Sequence, residues 1–362
     1  MKIIQLIYSL CSGGAERFVV SLSNQLAKMG HDVTICMLLS DKNDSYVFNR
    51  QFVKSCVFVH SMGFQPGFSL KKVKDVEKYI LSERPDVVHC HLNVIPYVFR
   101  LALRNNDIKF VHTLHSVAEN AAGKEWQRPI NRFFYKRGYI SPITISEICR
   151  LSYMRYYGLP SPASIDNGCE VPCKSNSFDM VAAEVESYKG DHRTPVFIHV
   201  ARYHEQKNQK LLIDAFNELD RNGEDFVLLV IGDGFSHGQG SDLKSLACDK
   251  IHFLGLKNNV ADYLYCSDAF CLTSVYEGLP ISLLEAMSCG VIPICTRIGG
   301  MPDVVIDGKT GYLSDVSLDA YVSALERYLN EGTEMEDLLK YFESRFSMPS
   351  CAAKYMDIYE TR

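Results

Sequence analysis

A chain of 362 residues is long for one hydrophobic core and suits two domains of ordinary size. Its charged fraction of 22% and apolar fraction of 47% are those of a globular protein, and no apolar run approaches the ~20 residues of a membrane-spanning helix. The net charge of −5 conceals an asymmetry: residues 1–160 hold 21 Lys and Arg against 12 Asp and Glu, a balance of +9, whereas the remainder holds 17 against 31, a balance of −14.

A basic first half predicts an anionic partner, whether a membrane surface, a phosphorylated lipid or a nucleic acid. The 13 cysteines are odd in number, sit mostly inside apolar runs and include no C-x-x-C pair, so a reduced cytoplasm fits better than a disulfide framework. Residues 1–10 carry no small-residue cleavage site and run into Gly13-Gly14, which makes them a first strand rather than a signal segment.

In chain order, an apolar strand over residues 2–9 is followed by a glycine turn and a helix from Gly14, with Phe18, Leu22, Leu26 and Met29 on one face. A second apolar run, Val33–Leu39, completes the opening unit of a doubly wound parallel sheet. Gly13-Gly14 is a tight turn on one reading and a phosphate or acceptor contact at a helix N-terminus on the other. A helix near Lys71–Leu81 precedes two strands, Asp86–His91 and Phe110–His115. His89 and His91 share a strand face, but without an accompanying acidic or cysteine cluster they do not suggest a metal site. His115 ends its strand where such sheets place a ligand, with a satisfied structural histidine as the alternative.

Residues 124–137 carry five basic side chains, among them Lys124, against one acidic, interleaved with Trp126, Phe133, Phe134 and Tyr135. They form either an ordinary amphipathic helix or one resting on anionic headgroups. Strands at Ile143–Ser146 and Ser164–Asn167 close a first domain over residues 1–170, and the polar stretch 171–193, with Pro172 and Gly190, reads as a linker. The alternation restarts in a second domain, 194–345, with strands Pro195–Ala201, Phe226–Ile231, Ile251–Leu254 and Ala269–Thr273 and a helix Lys207–Asn222. A last helix within 346–362 has Ala352, Tyr355, Met356 and Tyr359 on one stripe.

The most informative stretch is Ser274–Gly290. Gly278 breaks the preceding strand, Pro280 suits the first turn of a helix, and Gly290 ends it. Such a helix N-terminus suits a phosphate, and the carboxylates Glu277 and Glu285 suit sugar hydroxyls. Glu277 and Glu285 in EGLPISLLEAMSCG resemble the E-x7-E signature of retaining family 4 glycosyltransferases, and 291–303 and 307–311 resemble the segments that follow it. Arg202 and Lys207 match that family's Arg-x4-Lys, Gly13-Gly14 with Glu16 its Gly-Gly-x-Glu, Asn167-Gly168 its domain junction, and His115 its cleft histidine. Asp303 departs from the Glu often found after Gly-Gly-x-Pro.

The resemblance implies a GT-B fold, two Rossmann-like domains facing a central cleft, with the last helix crossing back to the first domain. It implies transfer of a hexose from a UDP- or GDP-linked donor, with retention, to a saccharide or a lipid-phosphate-linked acceptor in surface polysaccharide or glycolipid synthesis. Arg202 and Lys207 would bind the diphosphate and stabilise the leaving group. Glu277, with Gly278 and Leu279, would face the donor sugar, and Glu285 the ribose. Gly255-Leu256 would approach the base, and Gly232 and Gly14 would line the donor site. Gly13, Gly14, Glu16 and His115 would serve the acceptor side. No two aspartates lie two apart, so no D-x-D metal site is present, and activity without divalent cation or cofactor is expected.

A dinucleotide oxidoreductase needs G-x-G-x-x-G, and Gly232-Asp-Gly234 puts His237 in the third glycine's place. The remaining alternatives are a sugar-nucleotide epimerase and a non-catalytic module for anionic lipid or nucleic acid. The acidic second half with its Glu pair argues against the module. The sequence thus predicts no nucleic-acid partner, and a cytoplasmic enzyme peripheral to the inner face of a membrane.

Overall fold

The computed structural model describes residues 1–121, 123, 125–331 and 335–361. The chain divides into two compact units: Met1–Cys169 with Phe346–Arg362, and Glu170–Arg345.

The first unit holds β1 (Lys2–Ile7), β2 (Asp32–Leu39), β3 (Phe58–Phe64), β4 (Val87–His91), β5 (Lys109–Leu114), β6 (Ser141–Thr144) and β7 (Ala163–Ser164). They form one parallel sheet in the order β3-β2-β1-β4-β5-β6-β7, so the order reverses between β1 and β4. Strands such as β4 are buried along their whole length because helices cover both faces of a parallel sheet. The helix Gly14–Lys28 buries Phe18, Leu22 and Leu26. Met29, expected on that face, is instead 41% exposed, because the helix stops at it and Gly30 turns the chain at φ +90°.

The C-terminal helix, Met348–Glu360, belongs to this unit, with Ala352, Tyr355, Met356 and Tyr359 all buried. Its entry is fixed at Asn167-Gly168: Cys169 N–H donates to Phe346 O (2.9 Å) and Met348 N–H to Cys169 O (3.0 Å). A Cβ on Gly168 would fall 2.4 Å from Cys351 Cβ, which is why glycine stands there.

The second unit repeats the plan with β8 (Val196–Val200), β9 (Val227–Ile231), β10 (Ile251–Gly255), β11 (Ala269–Leu272), β12 (Ile292–Thr296) and β13 (Tyr312–Ser314), parallel in the order β10-β9-β8-β11-β12-β13. Its reversal falls between β8 and β11, which pair through Ala269–Phe197 and Phe270–Ile198.

The expected linker 171–193 is corrected by the structure: it contains a helix, Phe178–Ser187, inside the second unit. Only Val181 and Val185 anchor its apolar side, too few to stand out from a polar sequence. Polar contacts complete the docking: Tyr263 Oη donates to Glu184 Oε2 (2.9 Å) and Ser175 N–H to Asp262 Oδ1 (2.7 Å). The helix expected over Lys207–Asn222 also differs. A short 3-10 turn, Glu205–Lys207, ends at Asn208 in the left-handed region (φ +49°), and the α-helix begins at Gln209.

Candidate active site

In a doubly wound sheet the loops at the carboxyl ends of the two strands flanking the reversal form the ligand crevice. In the second unit these are the loops after β8 and β11, and they carry Arg202, Lys207 and Glu277. The loop after β8 is held from below. His199, buried on β8, donates Nδ1–H to Cys271 O (2.9 Å), so its bare Nε2 accepts from Gln209 Nε2 (3.4 Å). Gln209 Nε2 also donates to Arg202 O (2.9 Å), and Tyr203 N–H to Asp233 O (2.7 Å). Burial pushes the His199 pKa down to about 4, a bond to Cys271 O opposes this, and the nearby Lys207 adds to the fall. The imidazole is therefore neutral. Gly232 sits beneath this loop, where a Cβ would lie 1.9 Å from Ala201 O; its φ of +154° and this approach both call for glycine.

The loop after β11 brings Glu277 to Lys207. Glu277 is 7% exposed, and its Oε1 accepts from Lys207 Nζ and from Ser274 Oγ, the latter at 2.8 Å. The two loops are tied by further bonds: Gln206 Nε2 donates to Tyr276 O (2.7 Å), Val275 N–H to Gln206 O (2.9 Å) and Thr273 Oγ1 to Asn208 O (3.0 Å). Gly300 N–H donates to Gly278 O (2.7 Å), and Gly299, at φ +56°, lies where a Cβ would be 2.0 Å from Glu277 O. Glu277 is thus fixed from three sides.

Pro280 proves to be the N-cap, in extended conformation, rather than the first helical residue, and the helix Ile281–Ser288 has no side-chain cap. Ile281, Leu284 and Ser288 are buried and Glu285 is half-buried on its second turn. Leu279 is buried, Gly255 turns the chain at φ +69°, and Leu256 is 55% exposed. Arg202 is exposed, and its guanidinium has no bonded partner among the described residues.

In the first unit, Gly13 is the extended N-cap of Gly14–Lys28. The Glu16 carboxylate folds back over it: a Cβ on Gly13 would lie 2.2 Å from Glu16 Oε2, and Cys11 Sγ donates to Oε1 (3.1 Å). The positive end of this helix therefore already holds an anion, which favours hydroxyl ligands over phosphate there. His115, just beyond β5, is bonded through Nε2 to His91 Nδ1 (2.9 Å). His91 Nε2 bonds Gln5 Oε1 (2.7 Å), and His89 bonds Tyr359 Oη and Thr113 Oγ1, both at 2.7 Å. The nitrogens of His89 and His91 are thus spent on hydrogen bonds. Burial, reinforced by neighbouring histidines, holds all three well below the ordinary value, His115 at about 3.

In the basic stretch, whose helix is Gln127–Lys136, Arg128 and Arg132 are tied to the Tyr156 and Tyr157 carbonyls, each at 2.6 Å. Phe134 and Tyr135 are buried, while Trp126, Phe133, Lys136 and Arg137 are exposed; Lys124 lies outside the described residues. Among the described residues no helix is long and apolar enough to cross a membrane.

Two parallel-sheet units of this topology give the GT-B fold. The chain belongs to the family 4, group 1 glycosyltransferases: the model of Glycosyltransferase Family 4 matches residues 12–170 and that of glycosyl transferases group 1 matches residues 182–345. It is 28% identical to an N-acetyl-alpha-D-glucosaminyl L-malate synthase of Bacillus anthracis, over 84% of this chain and 81% of the relative. It is 24% identical to an Escherichia coli UDP-Gal:alpha-D-GlcNAc-diphosphoundecaprenol alpha-1,3-galactosyltransferase, over 72% and 71% of the two chains. Its fold matches that of Anabaena HepE in complex with UDP-glucose, with a TM-score of 0.77, 17% identity and all of both chains covered.

Sequence reasoning missed Ser274, Gln206 and Gly299, because small and polar loop residues carry no periodic signal. It also missed Gln5, although a lone amide in the apolar strand KIIQLI is a signal: a buried polar group must have a partner.

Proposed function

We propose that the protein transfers a hexose from a UDP- or GDP-sugar to a saccharide or lipid-phosphate-linked acceptor, with retention of anomeric configuration and without a metal ion. The observation that carries this is Glu277, buried and held by Lys207 and Ser274 at the β8/β11 reversal, with Arg202 exposed on the same loop as Lys207. A diphosphate arriving there meets one ammonium and one guanidinium. As the sugar–phosphate bond breaks, negative charge grows on the leaving oxygen and the cations stabilise it. The Glu277 carboxylate orients sugar hydroxyls and offsets positive charge at the anomeric carbon, and Glu285 accepts from the ribose. Two relatives support the donor and carrier classes: HepE was solved with UDP-glucose, and the galactosyltransferase is named for UDP-Gal and a diphosphoundecaprenol acceptor. A lipid-carrier acceptor would be met at the inner membrane face, and exposed Lys136, Arg137 and Trp126 would suit anionic headgroups there; co-sedimentation with anionic but not neutral vesicles tests that part.

The decisive test is thermal stability against a panel of nucleoside diphosphates and sugar nucleotides. A ligand at 100 times its Kd stabilises by about 2.7 kcal/mol, and Glu285→Ala should weaken the effect. The donor so named is then used for transfer with and without EDTA, and the product's anomeric configuration is read by NMR. No stabilisation by any nucleotide would overturn the proposal.

A further inference from the structure

Gln5 and Tyr359 lie far apart in sequence, yet both end on the hydrogen-bonded chain that reaches His115. Gln5 Nε2 lies 3.4 Å from Tyr359 Oη, and Gln5 Oε1 lies 2.7 Å from His91 Nε2. Tyr359 Oη is 2.7 Å from His89 Nδ1, whose Nε2 is 2.7 Å from Thr113 Oγ1. On the branch from Gln5 through His91 to His115, protons can be placed in only two ways with every ring neutral. An amide nitrogen only donates and an amide oxygen only accepts. With the amide as found, Tyr359 accepts from Gln5 and donates to His89. On the His91 branch His91 carries its proton on Nε2 and accepts at Nδ1 from His115 Nε2–H, leaving His115 Nδ1 bare. Reversing the amide reverses every bond of this branch and protonates Nδ1 of His115 instead.

The two arrangements differ in what they leave buried. His115 Nδ1 is a buried atom with no hydrogen-bond partner among the described residues. A buried N–H without a partner is rarer in folded proteins than an acceptor without one, which selects the first arrangement. A charged form is disfavoured, since burial and the neighbouring rings keep these imidazoles neutral.

We infer that Gln5, braced by Tyr359 of the C-terminal helix, fixes the tautomer of His115 through His91, so that His115 offers a bare Nδ1 as a hydrogen-bond acceptor for a substrate hydroxyl. This rests on the proposed function for its last clause only. Gln5, His91 and Tyr359 are positioning residues; His115 alone would touch substrate. The C-terminal helix therefore contributes a hydrogen-bond specification to the site of the first unit as well as buried area.

The test is a long-range proton–nitrogen NMR correlation on full-length protein with 15N-labelled histidine rings, with His115 assigned by its loss in His115→Ala. The wild type should show His115 protonated at Nε2 and bare at Nδ1. Gln5→Glu should keep that pattern, because a carboxylate also only accepts from His91, whereas Gln5→Leu and Tyr359→Phe should admit the second tautomer. With UDP-glucose as probe donor, Gln5→Leu should lower kcat for UDP release by up to roughly tenfold at nearly constant KM, the loss of one hydrogen bond, and Gln5→Glu should restore it. A wild-type His115 protonated at Nδ1, or a tautomer unmoved by Gln5→Leu, overturns the relay, and the wild-type spectrum decides even if a variant fails to fold. The expected spectrum combined with undiminished turnover in His115→Ala overturns the substrate role instead, so the two parts fail separately.

Discussion

At the β1/β4 reversal of the first unit the polar side chains are neutral rings, amides and hydroxyls, with Gln5, His89, His91 and Tyr359 in one buried network. At the corresponding β8/β11 reversal of the second unit they are an ion pair, Lys207 with Glu277, held by a serine. The sheets share one strand order, so topology supplies the place and not the chemistry. A neutral network offers hydrogen bonds of fixed direction, whereas an ion pair offers charge.

The comparison breaks most visibly at Glu277. Glu277→Ala should cut turnover roughly 10²–10³-fold with far-UV circular dichroism unchanged; near-normal turnover would remove the second unit's claim to the chemistry. Next in size is the ion pair. Lys207→Met leaves a buried carboxylate without its cation and should cost about 3–5 kcal/mol in urea unfolding. Lys207→Met combined with Glu277→Gln should recover most of that stability while remaining inactive, which separates folding from function in one cycle.

Acid should divide the units. His89, His91, His112 and His115 in the first, and His199 in the second, have pKa values depressed by burial, His112 and His199 to about 4. An unfolded histidine takes up a proton near pH 6.5, so the folded state is fully favoured above that pH and loses stability as pH falls toward about 4. Each such proton costs up to about 1.4 kcal/mol per pH unit. Amides of β4 and β5 should lose exchange protection between pH 7 and 5 more steeply than those of β8 and β9. Equal slopes would contradict a histidine-rich first unit as the acid-sensitive one.

The smallest effect expected is at the surface. Arg155→Ala, which removes an exposed pair with Glu119, should change stability by less than about 1 kcal/mol and leave transfer unchanged. It serves as the baseline for the others.

Ser274–Gly290 was legible because its information is local: a strand, a glycine break, a proline and two carboxylates at fixed spacing lie within one stretch. Arg202 and Lys207 stand out only through the family resemblance, since a lone Arg/Lys pair is ordinarily a solvated surface. The pairing of Lys207 with Glu277 was not legible, since it joins residues 70 apart in sequence that meet only because β8 and β11 are neighbours in the sheet. The helix Phe178–Ser187 was missed because two valines make no periodic signal until the second unit gives them a surface to cover.

The sequence by itself determined two parallel-sheet units, the glycine turns and the identity of the charged residues, because apolar period, backbone permissiveness and side-chain charge belong to short segments. The tertiary structure decided who bonds to whom: that Gln5 meets Tyr359 across 354 positions, that Glu16 covers its own helix end, and that His91 meets His115. A hydrogen bond depends on distance and direction to within tenths of an ångström, and such relations arise only when segments far apart in sequence are folded against one another.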